Sequence, residues 1–399
     1  MRALAQLSRS GFSLRGVVQM VRWRWGAGFG LIVGLALAAP AAALPPQAVY
    51  DRCNNNENTF SRDQVIEACT TLLEAPDFPV SGRSSVYAFR GSARYGKQDY
   101  AGVIEDMNQS IALRPQEGAY LWRGMAYVAL EKYDLAIADF SKSFLLNPTD
   151  PVHLVKRGEA KLLKQDYDGA IRDLGMALAT DPKAAHANAL RAQAYLGKSD
   201  VDKALADYTR AVTLDPKDAN AFLTRGRIYA LMSDHKAAVA DFTQVVTLAP
   251  DFAEGFTERG KSYWVLGERV RAIADHDRAA ELDPQDVIKH IARCARRIFA
   301  NIELETAYAA CTRAVEVKAA PEIVYFHGVA SLKTERWAEA LADFQDGLNR
   351  DKQRAGAYFG QGIAKLRLGQ REEGEADIAR AEELDPKVAE TYATYGITP

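Results

Sequence analysis

Apolar and small residues recur at helical spacing through most of the chain. Tyr120, Gly124 and Tyr127 stand at i, i+4 and i+7, which lays them on one face of a helix, and Ala136, Phe140 and Ser143 do the same on a second. Between them Glu131 and Lys132 turn the chain. Asn147-Pro148 ends the second helix, because the residue before a proline leaves the helical region. The pattern predicts an antiparallel helix pair.

That pair repeats. Prolines stand at 115, 148, 182, 216, 250, 284 and 386, with gaps of 33, 34, 34, 34, 34 and then 102, three times 34. Glycine returns once per period at Gly91, Gly124, Gly158, Gly226, Gly260, Gly328 and Gly362, with Ala192 in the remaining regular unit. Alanine returns at Ala136, Ala170, Ala204, Ala238, Ala272 and Ala340. Small residues in both slots let the two helices approach closely. One such hairpin cannot bury its apolar face alone, so the units must stack.

The segment from Gly118 to Pro148, with WRGMAYVALEKYDLAIADFSKSFLLNP as its central part, resembles a tetratricopeptide repeat. The resemblance implies an all-α fold, a right-handed α-α superhelix of about ten helix-turn-helix units. Their expected bounds are 46–79, 84–116, 117–150, 151–184, 185–218, 219–252, 253–286, 287–320, 321–354 and 355–388, with a short capping helix beginning in 389–395. Units one and eight depart most from the pattern. They suggest one array over 46–286 and a second over 287–396, with a lesser break at Pro76 to Gly82.

Charges repeat as well. The residue before the glycine slot is Arg, and the residue before the bulky slot of the second helix is Asp, in six successive units: Arg90 with Asp106, Arg123 with Asp139, Arg157 with Asp173, Arg191 with Asp207, Arg225 with Asp241, and Arg259 with Asp275. These slots flank the helix seam, and we expect ion pairs within or between units. Solvated charges that never touch are the alternative. Units nine and ten carry His327 with Asp343 and Gln361 with Asp377.

Units one and eight break the rule in one manner. They read Arg52-Cys53 with Ala68-Cys69, and Arg293-Cys294 with Ala310-Cys311, so both facing slots have become Cys. We expect two helix-to-helix disulfides, Cys53–Cys69 and Cys294–Cys311. A loop of this size contributes about 3 kcal/mol in the chain-entropy model. The spacing is no zinc knuckle.

Residues 1–43 read as an export signal: five Arg and no acid, an apolar stretch from Gly26 to Ala39, and Ala41-Ala42-Ala43 as a small-residue cleavage site. The mature chain would start near Leu44, and translation at Met20 would give a more ordinary leader. An uncleaved membrane anchor is the competing reading, although the run is short of the roughly 20 residues a span needs. A periplasmic or secreted setting also suits the cystines. From residue 44 on, 45 basic residues face 52 acidic ones, a charge near −7, which disfavours nucleic acid as a partner.

The residues spell no catalytic constellation: no phosphate loop, no His-Glu-x-x-His and no nucleophile elbow. They call for no cofactor and no metal, His276 and His290 being at most neighbours across a seam. The expectation is a non-enzymatic interaction scaffold of the bacterial cell envelope. The resemblance implies that first helices line a concave groove for a peptide or protein partner. It would include Leu121, Met125, Val128, Val155, Glu159, Leu162, Gln193, Leu223, Arg227, Lys261 and Trp264. A carboxylate of the partner would meet Arg227 or Lys261, with apolar anchors elsewhere. Lys289, Arg293, Arg296 and Arg297 form a basic cluster that suits an acidic partner or an anionic envelope glycan. A membrane-tethered scaffold is the other alternative.

Overall fold

The computed structural model describes residues 46–399, so the expected leader, 1–43, lies outside the described residues. Among the described residues the secondary structure is helical throughout, with 21 helices and no strand. None is long and apolar enough to cross a membrane. The helices run as hairpins: α1 Pro46–Asn54 with α2 Arg62–Glu74, α3 Val80–Gly96 with α4 Tyr100–Leu113, α5 Glu117–Ala129 with α6 Tyr133–Leu146, α7 Val152–Leu163 with α8 Tyr167–Thr180, and α9 Ala185–Gly197 with α10 Val201–Leu214. These belong to a compact unit ending at Asp215.

A second unit spans Pro216–Pro399. Its hairpins are α11 Ala219–Leu231 with α12 His235–Leu248, α13 Ala253–Val265 with α14 Arg269–Leu282, α15 Val287–Ala300 with α16 Leu304–Val317, α17 Pro321–Lys333 with α18 Trp337–Arg350, and α19 Ala355–Arg367 with α20 Arg371–Leu384. The short α21, Val388–Thr394, closes it. Tyr392 is fully buried there, with its hydroxyl donating to the Gly356 carbonyl at 2.7 Å. The start of α3 at Val80 draws the Pro76–Gly82 segment partly into helix, with Pro79 as its N-cap residue.

Eight of the ten hairpins turn through one residue in the left-handed region, at Gln98, Glu131, Gln165, Ser199, Ser233, Gly267, Glu335 and Gly369, while the two cystine hairpins use two each, Asn55 with Asn58 and Asn301 with Glu303. Only two of these are glycines. Asp99, Asp166, Asp200 and Asp234 follow directly and cap the second helix by accepting a backbone N–H.

The glycine slot fits the bulky residue 16 positions later. A Cβ added at Gly124 would lie 2.6 Å from the Phe140 ring, at Gly158 2.8 Å from Leu174, and at Gly226 2.7 Å from Phe242. Phe140, Leu174 and Phe242 are fully buried as a result. In the two irregular hairpins the same contact is covalent: Cys53–Cys69 joins α1 to α2 and Cys294–Cys311 joins α15 to α16, with Cα atoms 4.8 and 5.2 Å apart.

All six Arg–Asp pairs form, and each lies within its own hairpin. Arg123, Arg157, Arg191, Arg225 and Arg259 grip the carboxylate through Nε and Nη2 at 2.7–2.8 Å, and Arg90 reaches Asp106 at 2.7 Å. The aspartates are buried. At Asp106 burial raises the carboxyl pKa against the opposing pull of Arg90 and Arg94. Nη1 of several of these arginines reaches back to the preceding hairpin: Arg90 to Thr70, Arg123 to Asn108, Arg157 to Ser141 and Arg259 to Thr243. One side chain therefore ties the two helices of a hairpin and sets its register on the previous one.

The ninth and tenth hairpins keep the rung with other chemistry. His327 bonds Asp343 at 2.6 Å and Thr312 at 3.1 Å. Gln361 is not paired with Asp377: it donates to Gln345 at 2.8 Å, and Lys365, one turn on, takes Asp377 at 2.7 Å.

Replacing Asp139 by Ala should cost about 2–3 kcal/mol, less than a fully buried pair because Arg123 keeps some contact with water. A change under about 0.5 kcal/mol in urea unfolding would show that the rung is not structural. Reducing the bridges should lower stability by about 3 kcal/mol each, read as a fall in melting temperature with dithiothreitol.

Candidate interaction surfaces

The first helices present the expected groove positions, and burial sorts them. Leu121, Met125 and Val128 on α5 are half-buried against the cluster of Ala136, Phe140 and Ala160. Val155 and Leu162 on α7 pack partly on the cluster around Ala170 and Leu174. Glu159 is half-buried and paired with Lys156 at 2.9 Å, and Gln193 on α9 is half-buried.

An aromatic group that sequence reasoning passed over sits beside them. Tyr95 stacks at 5.4 Å from Trp122 and 5.5 Å from Tyr100, and burial, with Tyr100 and Glu159 nearby, raises its hydroxyl pKa. Tyr95 falls 33 residues before Val128, one period earlier, so the repeat register carried the signal.

In the second unit the structure corrects one assignment, Leu223, and gives two others internal partners. Leu223 is 4% exposed: its side chain is core, because neighbouring helices cover its slot, and it offers a partner no surface. Arg227 is already engaged by Glu254 and by Glu258 at 3.4 Å, and Lys261 meets Glu258 at 3.1 Å. Glu254 and Glu258 thus hold Arg227, whereas Lys261 stays more than half exposed beside Glu258.

The basic cluster is likewise mostly neutralised. Lys289 pairs with Asp283 and Asp286, and Arg293 lies 2.9 Å from Asp277. Arg297 is 2% exposed and grips Asp277 at 2.6 Å and Glu303 at 3.0 Å. It fills an inward slot of α15 as a buried ion-pair partner.

Arg296 differs. It has no ion pair among the described residues, and its guanidinium lies 4.5 Å from the Trp264 ring centroid, with Arg269 over the same ring at 3.9 Å. Burial and the charge of Arg269 lower its pKa. Arg269 is fixed by a bond from Nη1 to the Trp264 carbonyl at 3.0 Å. Two guanidinium groups on one aromatic ring repel, and an anion placed between or beside them relieves both the repulsion and the missing counter-charge. Trp264 and Arg296 were legible as separate candidates, whereas Arg269 joined them only through folding.

His276 fills the bulky slot facing Gly260 and is buried. Desolvation first, then Arg296 and Lys261, lower its pKa to about 4, opposed by Asp277. No group of three His, Cys, Asp or Glu side chains among the described residues is placed to hold a metal.

These features define a repeat protein of helical hairpins whose first-helix faces carry aromatic and cationic surface. Models of the tetratricopeptide repeat match residues 118–150, 155–219 and 219–252. Residues 118–150 and 155–252 are thus tetratricopeptide repeats. The comparison with curated proteins gives no match. Among solved structures, the C-terminal part of a repeat-containing protein from Cytophaga hutchinsonii is 18% identical, with a TM-score of 0.51, over 59% of this chain and 97% of its own. A tetratricopeptide repeat protein from Parabacteroides merdae is 17% identical over 63% of this chain and 98% of its own, with a TM-score of 0.48. MamA from Desulfovibrio magneticus is 22% identical over 43% and 97%, with a TM-score of 0.40. The Cytophaga likeness is one of fold.

Because the folded His276 pKa lies below its ordinary 6.5, the neutral ring stabilises the fold fully above pH 6.5, and that contribution is lost as pH falls towards about 4. The loss should approach about 3 kcal/mol. Replacing His276 by Phe, the residue other hairpins use, should flatten melting temperature between pH 7 and 4.5. An unchanged profile would remove His276 as the cause.

Proposed function

We propose that this chain is a non-enzymatic scaffold that binds a peptide or protein partner on its first-helix faces, in an oxidising compartment outside the cytoplasm. The repeat architecture supports an interaction scaffold. The pairing of all four cysteines supports the compartment. The observation that carries the binding reading is Arg296, a half-buried cation on Trp264 without a carboxylate of its own. A partner segment bearing an acidic group beside an apolar or aromatic anchor matches that surface, and the half-buried Leu121, Met125, Val128, Val155 and Leu162 offer apolar anchorage elsewhere. Pre-ordered stacking of the hairpins lowers the entropy cost of holding several weak contacts at once.

The role is that of an adaptor or assembly factor in a bacterial envelope, with residues 1–43 directing export. Screening an array of acidic and aromatic peptides, then comparing Trp264→Ala and Arg296→Gln with the parent chain, tests the binding site. Each variant should weaken binding at least about tenfold, or 1.4 kcal/mol, without changing the helical spectrum. Equal affinity in both variants would move the site elsewhere. N-terminal sequencing of chain recovered from a bacterial periplasm should begin near Leu44. A start at Met1 or Met20 on membrane-bound protein would favour the tethered scaffold instead.

A further inference from the structure

Of the six rung arginines, four also reach the preceding hairpin, whereas Arg191 and Arg225 hydrogen-bond only their own aspartates among the described residues. Arg90, Arg123, Arg157 and Arg259 spend their third nitrogen, Nη1, on a polar side chain of the preceding second helix, namely Thr70, Asn108, Ser141 or Thr243. For Arg191 the corresponding residue is Gly175. Arg191 holds Asp207 through Nε at 2.7 Å and Nη2 at 2.8 Å, and its Nη1 has no hydrogen-bond partner among the described residues. A Cβ added at Gly175 would meet nothing within 4 Å.

Beside Gly175 lies a cleft of about 320 Å³ between α8, α9 and α10. Gly175, Leu178 and Pro182 line one side, with Asn188, Arg191 and Arg210 completing it, and no acidic residue lines it. Arg210 is placed there by a bond from Nη2 to the Pro182 carbonyl at 3.2 Å. Two cations therefore face a space next to one carboxylate, and that carboxylate is already bonded twice.

We propose that this cleft captures a carboxylate side chain of a partner protein, taking the place of the polar side chain absent at position 175. A carboxylate presents two coplanar oxygens, which matches the planar edge of a guanidinium. Leu178 and Pro182 give an apolar wall for the methylene stem of a glutamate, and the volume suits one side chain. The site is separate from the groove: Arg191 and Gln193 are two residues apart on α9, about 200° around the helix. The reading of the chain as a protein-binding scaffold supplies only the source of the carboxylate.

The test is a titration of the full chain, labelled with ¹⁵N-arginine, with N-acetylglutamate N-methylamide. Nε–Hε signals of Arg191 and Arg210 should shift saturably, with a dissociation constant of about 1–10 mM as befits a single contact pair. The glutamine counterpart should leave them unmoved. Gly175→Thr supplies the hydroxyl that Thr243 gives Arg259, occupies the part of the cleft next to Arg191 and raises helix propensity. It should abolish the shift with an equal or higher melting temperature. Arg210→Gln, at an exposed position, should weaken binding at least threefold, judged with about half a unit of log precision. Three results would overturn the proposal: no saturable shift, equal shifts with the glutamine compound, or shifts that persist in Gly175→Thr. Response to inorganic phosphate without response to the carboxylate would overturn the assigned ligand. Peptide binding at Trp264 is measured separately, so either site can fail alone.

Discussion

The close approach of two helices at one small residue is the constraint on which everything else rests. With Gly124, Gly158 or Gly226 in the slot, a large side chain on the opposite helix seats directly on the backbone, and an added methyl would overlap it. Close-packed interiors do not absorb such overlap without displacement. The narrow seam that follows holds the flanking Arg and Asp within 2.7–2.8 Å in hairpin after hairpin. Where the small residue is lost, as in the first and eighth hairpins, a disulfide bridges the same two slots. Packing, charge and covalent linkage are thus alternative solutions to one geometric problem.

The arginine in this seam has a double duty with different energetic weights. Its two inner nitrogens neutralise a buried carboxylate, where loss of either partner strands a charge. Its outer nitrogen donates to a neutral side chain of the preceding hairpin, a weaker contact that sets register. Because the second contact is weak, the chain can drop it, as at Gly175, without losing the hairpin. His327 keeps both contacts in a smaller group, and Gln361 keeps only the outer one while Lys365 takes over the carboxylate. The two proposed recognition sites rest on cations without a carboxylate partner to spare, Arg296 on Trp264 in one unit and the outer nitrogen of Arg191 in the other.

The hairpins, their bounds within a few residues, the Arg–Asp pairs and the cystine pairs were legible because each is set by spacing along one chain. A period of 34 fixes which residues share a face, and facing slots in one hairpin are always 16 or 17 apart. The groove was less legible. Arg227 and Lys261 carried the right charge in the right register, yet Glu254 and Glu258 reach them first. Leu223 had the right register and is core. Arg297 was read as part of an exposed basic cluster, and its burial against Asp277 makes it an internal ion-pair partner instead.

Sequence by itself determined the repeat, the seam and its chemistry, since these depend on separations within a rigid helical hairpin. Only the tertiary structure decided which cations are spent and which remain. Long side chains choose partners among neighbours that stacking brings together from different hairpins, and a 34-residue register specifies where a side chain starts but not which carboxylate it reaches. Arg269, Arg296 and Trp264 come from three helices, and no local pattern announces that they meet.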